Sequence, residues 1–272
     1  MLRLLLARHG QSEGDTQALI EGSADLPLTV TGRLQGRLLA ERILREYRER
    51  EAPAAVFTSP LLRASDIAGD LASRLDVPVF VDDRLAELST GIMAGVSLVE
   101  AAKRWPLPER GHLLFERNPG GESDIDQYAR VLEFTLNLMD VLGEPFPGVW
   151  GRRPARFEGE CESTQDLAPW EGDLRVAPSR RVLGLLGHGG TVGKLLRVLT
   201  GLPLNAPVYF PHGDTGLSEV LIEDSRVRVI RMNCQRHLPP ILREPGVHDV
   251  AAEDPEGVAA AVSRWSEAAG AL

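Results

Sequence analysis

An Arg8-His9-Gly10 triplet follows directly on the apolar run Leu2–Ala7, and Gly187-His188-Gly189-Gly190 follows Val182–Leu186 in the same way. The end of a buried strand is a rigid place to hold a reactive group. A histidine there can attack a phosphoryl group if its reacting nitrogen is unprotonated and the other ring nitrogen donates elsewhere. Phosphoryl transfer also needs fixed donors for the phosphoryl oxygens and an acid for the leaving group. Arg8 and Arg63 carry planar forks that match phosphate oxygens. His188, if protonated, adds a third donor, and Glu87 is an apt acid. Taken singly, Arg63, Glu87 and His188 read as ordinary surface or turn residues. Their joint placement at strand ends is what makes a site.

Competing chemistries lack their residues. His9, His112, His188, His212, His237 and His248 are scattered, with no HxH, HExxH or paired-carboxylate pattern, so no metal site is expected. No Walker sequence appears, and no Gly-x-Ser-x-Gly of a serine hydrolase. Cys161 and Cys234 make neither a disulfide framework nor a CxxC pair. The net charge of −9 argues against broad nucleic-acid binding. A hydrophobic content of 43 % is ample for a core. No apolar stretch is long enough for a signal peptide or a membrane span, so a soluble cytoplasmic protein with no membrane partner is expected.

The elements that must position these residues alternate in type. Leu2–Ala7, Ala54–Thr58, Val77–Val81 and Val182–Leu186 read as short strands. Arg33 to Glu51 reads as a helix, led in by Thr31 and Gly32, with Leu39, Ile43 and Tyr47 on one face. Leu61 to Leu75 and Thr191–Thr200 read as helices. Ser123-Asp124-Ile125-Asp126 has capping-box form and opens a helix to Leu142. Ser218–Ile222 and Val227–Met232 read as an antiparallel pair, with Asp224-Ser225 in the turn. The alternation predicts a three-layer α/β/α domain over residues 1–235 with a mostly parallel central sheet. Such sheets bind ligands outside the carboxyl ends of their strands, where Arg8-His9, Thr58-Ser59 and Gly187-His188 all fall.

Two regions fit this plan poorly. Residues 143–180 are rich in Pro, Gly and charge and read as an insertion, either a lid over the site carrying Trp150, Trp170, Arg152, Arg153 and Arg156, or a surface loop. Residues 236–272 form a C-terminal tail, in which Val258, Val262, Trp265 and Ala269 share a helical face. Docking on the domain is the plainer reading of that face, and a homodimer contact the sharper one.

Taken together, the motifs resemble those of the histidine phosphatase superfamily, the phosphoglycerate mutase-like proteins. The matching segments are Arg8-His9-Gly10-Gln11-Ser12, Leu26-Pro27-Leu28-Thr29 with Gly32 and Gln35, and Thr58-Ser59-Pro60-Leu61-Leu62-Arg63-Ala64. Further on come Leu85-Ala86-Glu87-Leu88 with Gly91 and Gly95, Pro119-Gly120-Gly121-Glu122-Ser123, and Gly187-His188-Gly189-Gly190. The resemblance implies a phosphohistidine on His9, a phosphoryl group held by Arg8, Arg63 and His188, and proton donation by Glu87. It implies a small phosphorylated substrate and no metal or organic cofactor. It places Gln11, Ser12, Ser123 and Gly189 near phosphate or substrate. Asp15 stands where the family often has an asparagine that contacts the phosphoryl group, and a carboxylate there would repel a dianion. Mutase-like members carry Glu-Arg-x-Tyr-Gly after the acid region, whereas Glu87 is followed by Leu-Ser-Thr-Gly. The expected activity is a metal-independent phosphomonoesterase. The alternatives are a phosphoglycerate mutase-type phosphotransferase and a non-catalytic phospholigand-binding regulatory protein.

Overall fold

The computed structural model describes residues 1–47, 52–104, 114–144, 170, 174, 181–224 and 226–243. In chain order the elements are β1 (Leu2–Arg8), α1 (Glu13–Thr16), α2 (Val30–Glu46), β2 (Ala55–Thr58), α3 (Leu62–Leu75), β3 (Val79–Val81) and α4 (Leu98–Arg104). There follow α5 (Asp124–Val141), β4 (Val182–Gly187), α6 (Gly189–Thr200), β5 (Leu217–Glu223) and β6 (Arg226–Cys234). The strands form one sheet in the order β3-β2-β4-β1-β5-β6. The four strands from β3 to β1 are parallel; β5 runs antiparallel to β1, and β6 antiparallel to β5. The fold is thus α/β with a mostly parallel sheet and helices on both faces.

Strand periodicity divides the core. Leu4 and Leu6 of β1 and Leu183 and Leu185 of β4 face α5 and α6, with Val131, Phe134, Leu195 and Leu199. Leu5, Ala7 and Leu186 face the other way, against Leu39 and Ile43 of α2 and Ile67 and Leu71 of α3. Continuous apolar runs in β1 and β4 follow from burial on both faces.

Some boundaries differ from the sequence reading. α2 begins three residues before Arg33, because the Thr29 side chain accepts from the Gly32 amide and caps the helix there. α5 starts at the Ser123 capping box as expected. α1 and α4 are additional. Most of the 143–180 segment and the tail face at Val258, Val262, Trp265 and Ala269 lie outside the described residues, as do Trp150, Arg152, Arg153 and Arg156. Trp170 is described, and it is a core residue rather than part of a cover for the site. Its ring meets Phe57 and Phe134 edge-on and its indole N–H donates to Asp82 at 2.8 Å. At the start of the tail, Leu238 and Leu242 are buried against Leu38 of α2. Among the described residues, no helix is long and apolar enough to cross a membrane.

Candidate active site

β1 and β4 are neighbours in the sheet, yet the helices that follow them pack on opposite faces: α2 beside α3, and α6 beside α5. That divergence opens a crevice at the carboxyl ends of the two strands. The register pairs Arg8 with Gly187, so the next residues, His9 and His188, emerge side by side. Their rings lie 5.2 Å apart, centroid to centroid, edge to face. The His9 amide donates to the Gly187 carbonyl at 2.9 Å and continues the ladder one step beyond the strand.

The backbone around His9 is packed too tightly for side chains. A Cβ on Gly10 would collide with the Gly32 carbonyl, and one on Gly32 with the Gln11 carbonyl. These two glycines let the start of α2 press against the chain just past His9.

Both histidines are buried. His9 Nδ1 lies 2.6 Å from the Gly10 carbonyl, which can only accept, so Nδ1 carries the proton and Nε2 presents a lone pair. Burial first, then the charges of Arg8 and Arg63, hold the His9 pKa well below its usual value and keep the ring neutral. His188 is held down by burial first and then by Arg63 and Arg8. Without a ligand it is therefore neutral, not the imidazolium considered from the sequence. Its Nε2 meets the Ser59 hydroxyl at 2.8 Å, while its buried Nδ1 has no hydrogen-bond partner among the described residues.

The arginines complete the cationic side. Arg63, in the first turn of α3, is fully buried. Its Nη1 and Nη2 donate to the Ala24 and Gly22 carbonyls at 2.7 and 2.8 Å, and its Nε has no hydrogen-bond partner. Arg8 donates to Asp15 Oδ1 at 3.2 Å and to the His212 carbonyl at 3.1 Å, and lies 3.7 Å from Asp214. Glu87 accepts from three directions: Leu88 N and Gln127 Nε2 on one oxygen at 2.8 Å, and Gly190 N on the other at 3.0 Å. A Cβ on Gly190 would collide with that carboxylate and push it from its present place.

The remaining sequence-predicted positions fall around this group. Gln11 is buried, its side-chain oxygen accepting from Thr29 and its Nε2 unpartnered. Ser12 caps α1 and exchanges hydrogen bonds with Asp15, whose Oδ2 accepts from the Ser12 amide and hydroxyl at 2.9 Å. Asp15 is thereby committed to the cap and to Arg8. The Ser123 hydroxyl is engaged with Asp126 in the cap of α5. Gly189 lies against the aliphatic part of Arg8.

Sequence reasoning missed Glu21, Gln127 and Asp214. Glu21 accepts from the Ser12 hydroxyl and lies 3.7 Å from Arg63 Nε. Burial raises its pKa, against the pull of Arg63. Its signal in the sequence is only its place next to Gly22, ahead of Leu26-Pro27-Leu28-Thr29. Gln127, which orients Glu87, is one polar residue on a long helix and has no motif of its own. Among the described residues, three buried nitrogens have no hydrogen-bond partner (Gln11 Nε2, Arg63 Nε and His188 Nδ1), and the last belongs to the ring beside a neutral His9. Unpaired buried donors of this kind mark a place for an anion.

Comparison with known proteins agrees with this geometry. The sequence model of the histidine phosphatase superfamily (branch 1) matches residues 4–143. A glucosyl-3-phosphoglycerate phosphatase of Mycolicibacterium vanbaalenii is 29 % identical over 219 residues, covering 78 % of this chain and 80 % of its own. A probable phosphoglycerate mutase of Photorhabdus laumondii is 32 % identical over 223 residues, covering 81 % and 85 %. Among solved structures, a mycobacterial glucosyl-3-phosphoglycerate phosphatase in complex with VO3 superposes with a TM-score of 0.65 at 26 % identity, over 86 % of this chain and 100 % of that one. With two histidines at neighbouring strand ends and this family match across half its length, the chain belongs to the histidine phosphatase superfamily.

Proposed function

We propose that the protein is a phosphomonoesterase that works through a phosphohistidine on His9 without a metal ion. The observation that carries the reading is the tautomer: Nδ1 of His9 is spent on the Gly10 carbonyl, leaving a neutral Nε2 on the ring that faces His188. In the first step Nε2 bonds to phosphorus, the ester P–O bond breaks, and Glu87 protonates the departing oxygen. Arg8, Arg63 and His188 hold the phosphoryl oxygens as charge builds on them. In the second step a water attacks the phosphohistidine and gives its proton to Glu87. The P–N bond breaks, its electron pair returns to His9, and phosphate leaves. Phosphatase relatives support hydrolysis as the outcome, and the substrate is a small phosphorylated molecule.

Rapid acid- or base-quench with a labelled ester should trap label on His9 in the intact protein and none in His9→Ala. Wild-type turnover by His9→Ala would overturn the mechanism. A mutase reading draws on the Photorhabdus relative. Incubation with 3-phosphoglycerate and a trace of bisphosphoglycerate separates the two: free phosphate supports hydrolysis, 2-phosphoglycerate the mutase. We place the reaction in the cytoplasm, and a homodimer remains a proposal that sedimentation of the whole chain tests.

A further inference from the structure

A cavity of about 290 Å³ opens beside the phosphoryl crevice. Its floor is Gly189 and Gly190, the same residues that touch Arg8 and the Glu87 carboxylate. Through these two glycines the space adjoins the Glu87 side of the crevice. The facing wall is apolar and aromatic: Leu114, Leu204, Val208, Tyr209 and Phe210. Tyr209 is 83 % exposed, a large ring left open to solvent at the mouth. The loop that carries the wall is fixed, because Arg197 donates to the carbonyls of Pro203, Ala206 and Val208.

Charge in this cavity is already spoken for. Its described lining holds two cations, Lys194 and Arg197. Lys194 is paired with Asp124 at 2.6 Å, and Arg197 is bound to the loop carbonyls. A second anionic group brought to Lys194 would meet the like charge of the Asp124 carboxylate already paired with it. An uncharged body meets no such cost and gains from leaving water. In size, roughly 150 Å³ suffices for a benzene ring, so the cavity takes one ring with small substituents.

We infer that this cavity is the leaving-group site, and that it selects phosphate monoesters of uncharged alcohols with a compact apolar or aromatic body over carboxylated esters such as phosphoglycerates and phosphoserine. The inference rests on the phosphatase reading for its orientation, and it departs from the carboxylated phosphoglycerate ester in the names of the mycobacterial relatives.

Binding of stable phosphonates tests it apart from turnover. Calorimetry on the whole protein should give cyclohexylmethylphosphonate about tenfold or more tighter binding than ethylphosphonate. 3-Phosphonopropionate, which carries a carboxylate, should bind no better than ethylphosphonate. Gly193→Leu should narrow the cavity, since a Cβ there meets nothing closer than the Phe210 carbonyl at 3.8 Å and the helix tolerates it. It should cut the cyclohexyl advantage to within about twofold. Tightest binding of 3-phosphonopropionate, no binding of the cyclohexyl compound, or an undiminished preference in Gly193→Leu would each overturn the assignment. Turnover of the matching esters reports separately on the phosphatase reading: esters that bind in this order but release no phosphate sink that reading and leave the cavity assignment standing.

Discussion

Asp15 is the residue whose chemistry the structure changes most. Its carboxylate faces Ser12 and Arg8 and so acts as a cap and a countercharge. Asp15→Asn keeps an acceptor for the Ser12 amide and removes the charge that competes for Arg8. Inhibition by inorganic phosphate should then strengthen about fivefold, the effect of roughly 1 kcal/mol for a pair of charges at this range in water. Unaltered inhibition would mean that Asp15 does not compete for Arg8. Glu87→Gln should lower kcat by roughly 10²- to 10³-fold with little change in KM, because the proton is lost and the phosphoryl donors remain. An equal rise in KM would assign Glu87 to binding instead. Arg8, His9, Arg63, Glu87 and His188 were legible because each sits in a short motif at or after a strand end. Glu21 and Gln127 were not, because a carboxylate in a loop and an amide on a helix look alike whether they face solvent or a buried arginine. The protonation of His188 was also beyond the sequence, since it depends on burial that only the folded packing creates.

At the scale of elements, the runs that pack on both sides were the readable ones. β1, β2, β4 and α3 lie within a residue or two of their expected bounds because unbroken apolar runs and helical spacing record burial directly. The α2 boundary slipped because its start is set by the Thr29 cap, not by an apolar stripe. α1 escaped notice although Ser12-Glu13-Gly14-Asp15 has the same capping form as Ser123 to Asp126; four residues are too few to show periodicity. Trp170 was misplaced because it stands in a stretch broken by Pro, Gly and charge that shows no periodicity, while its neighbours in space are Phe57, Phe134 and Asp82. Trp170→Ala should therefore destabilise the protein by about 3–5 kcal/mol, as expected for an emptied aromatic core site. Urea unfolding measures it, and a loss under about 1 kcal/mol would place the ring outside the cooperative core.

At the scale of the whole molecule, buried neutral histidines set the acid limit of stability. His9, His188, His212 and His237 all have pKa values lowered by burial, that of His237 to about 3. The unfolded chain takes up protons at these rings below about pH 6.5, and the folded chain does not. Their contribution is complete above that pH and is lost as pH falls through the lowered folded-state values, for His237 about 3. Between pH 7.5 and 5.5 the unfolding free energy should drop by on the order of 3–5 kcal/mol, since each such ring costs about 1.4 kcal/mol per pH unit at most. His237 accepts from Arg42 and donates to Thr215, so His237→Asn should shrink the drop by about 1 kcal/mol. Equal stability at the two pH values would show that these rings titrate freely. The parallel ladder that pairs Arg8 with Gly187 has a different kind of consequence. It is made of main-chain atoms, which every substitution short of proline leaves in place. Core side chains on either face can be exchanged without removing the atoms that set His9 beside His188.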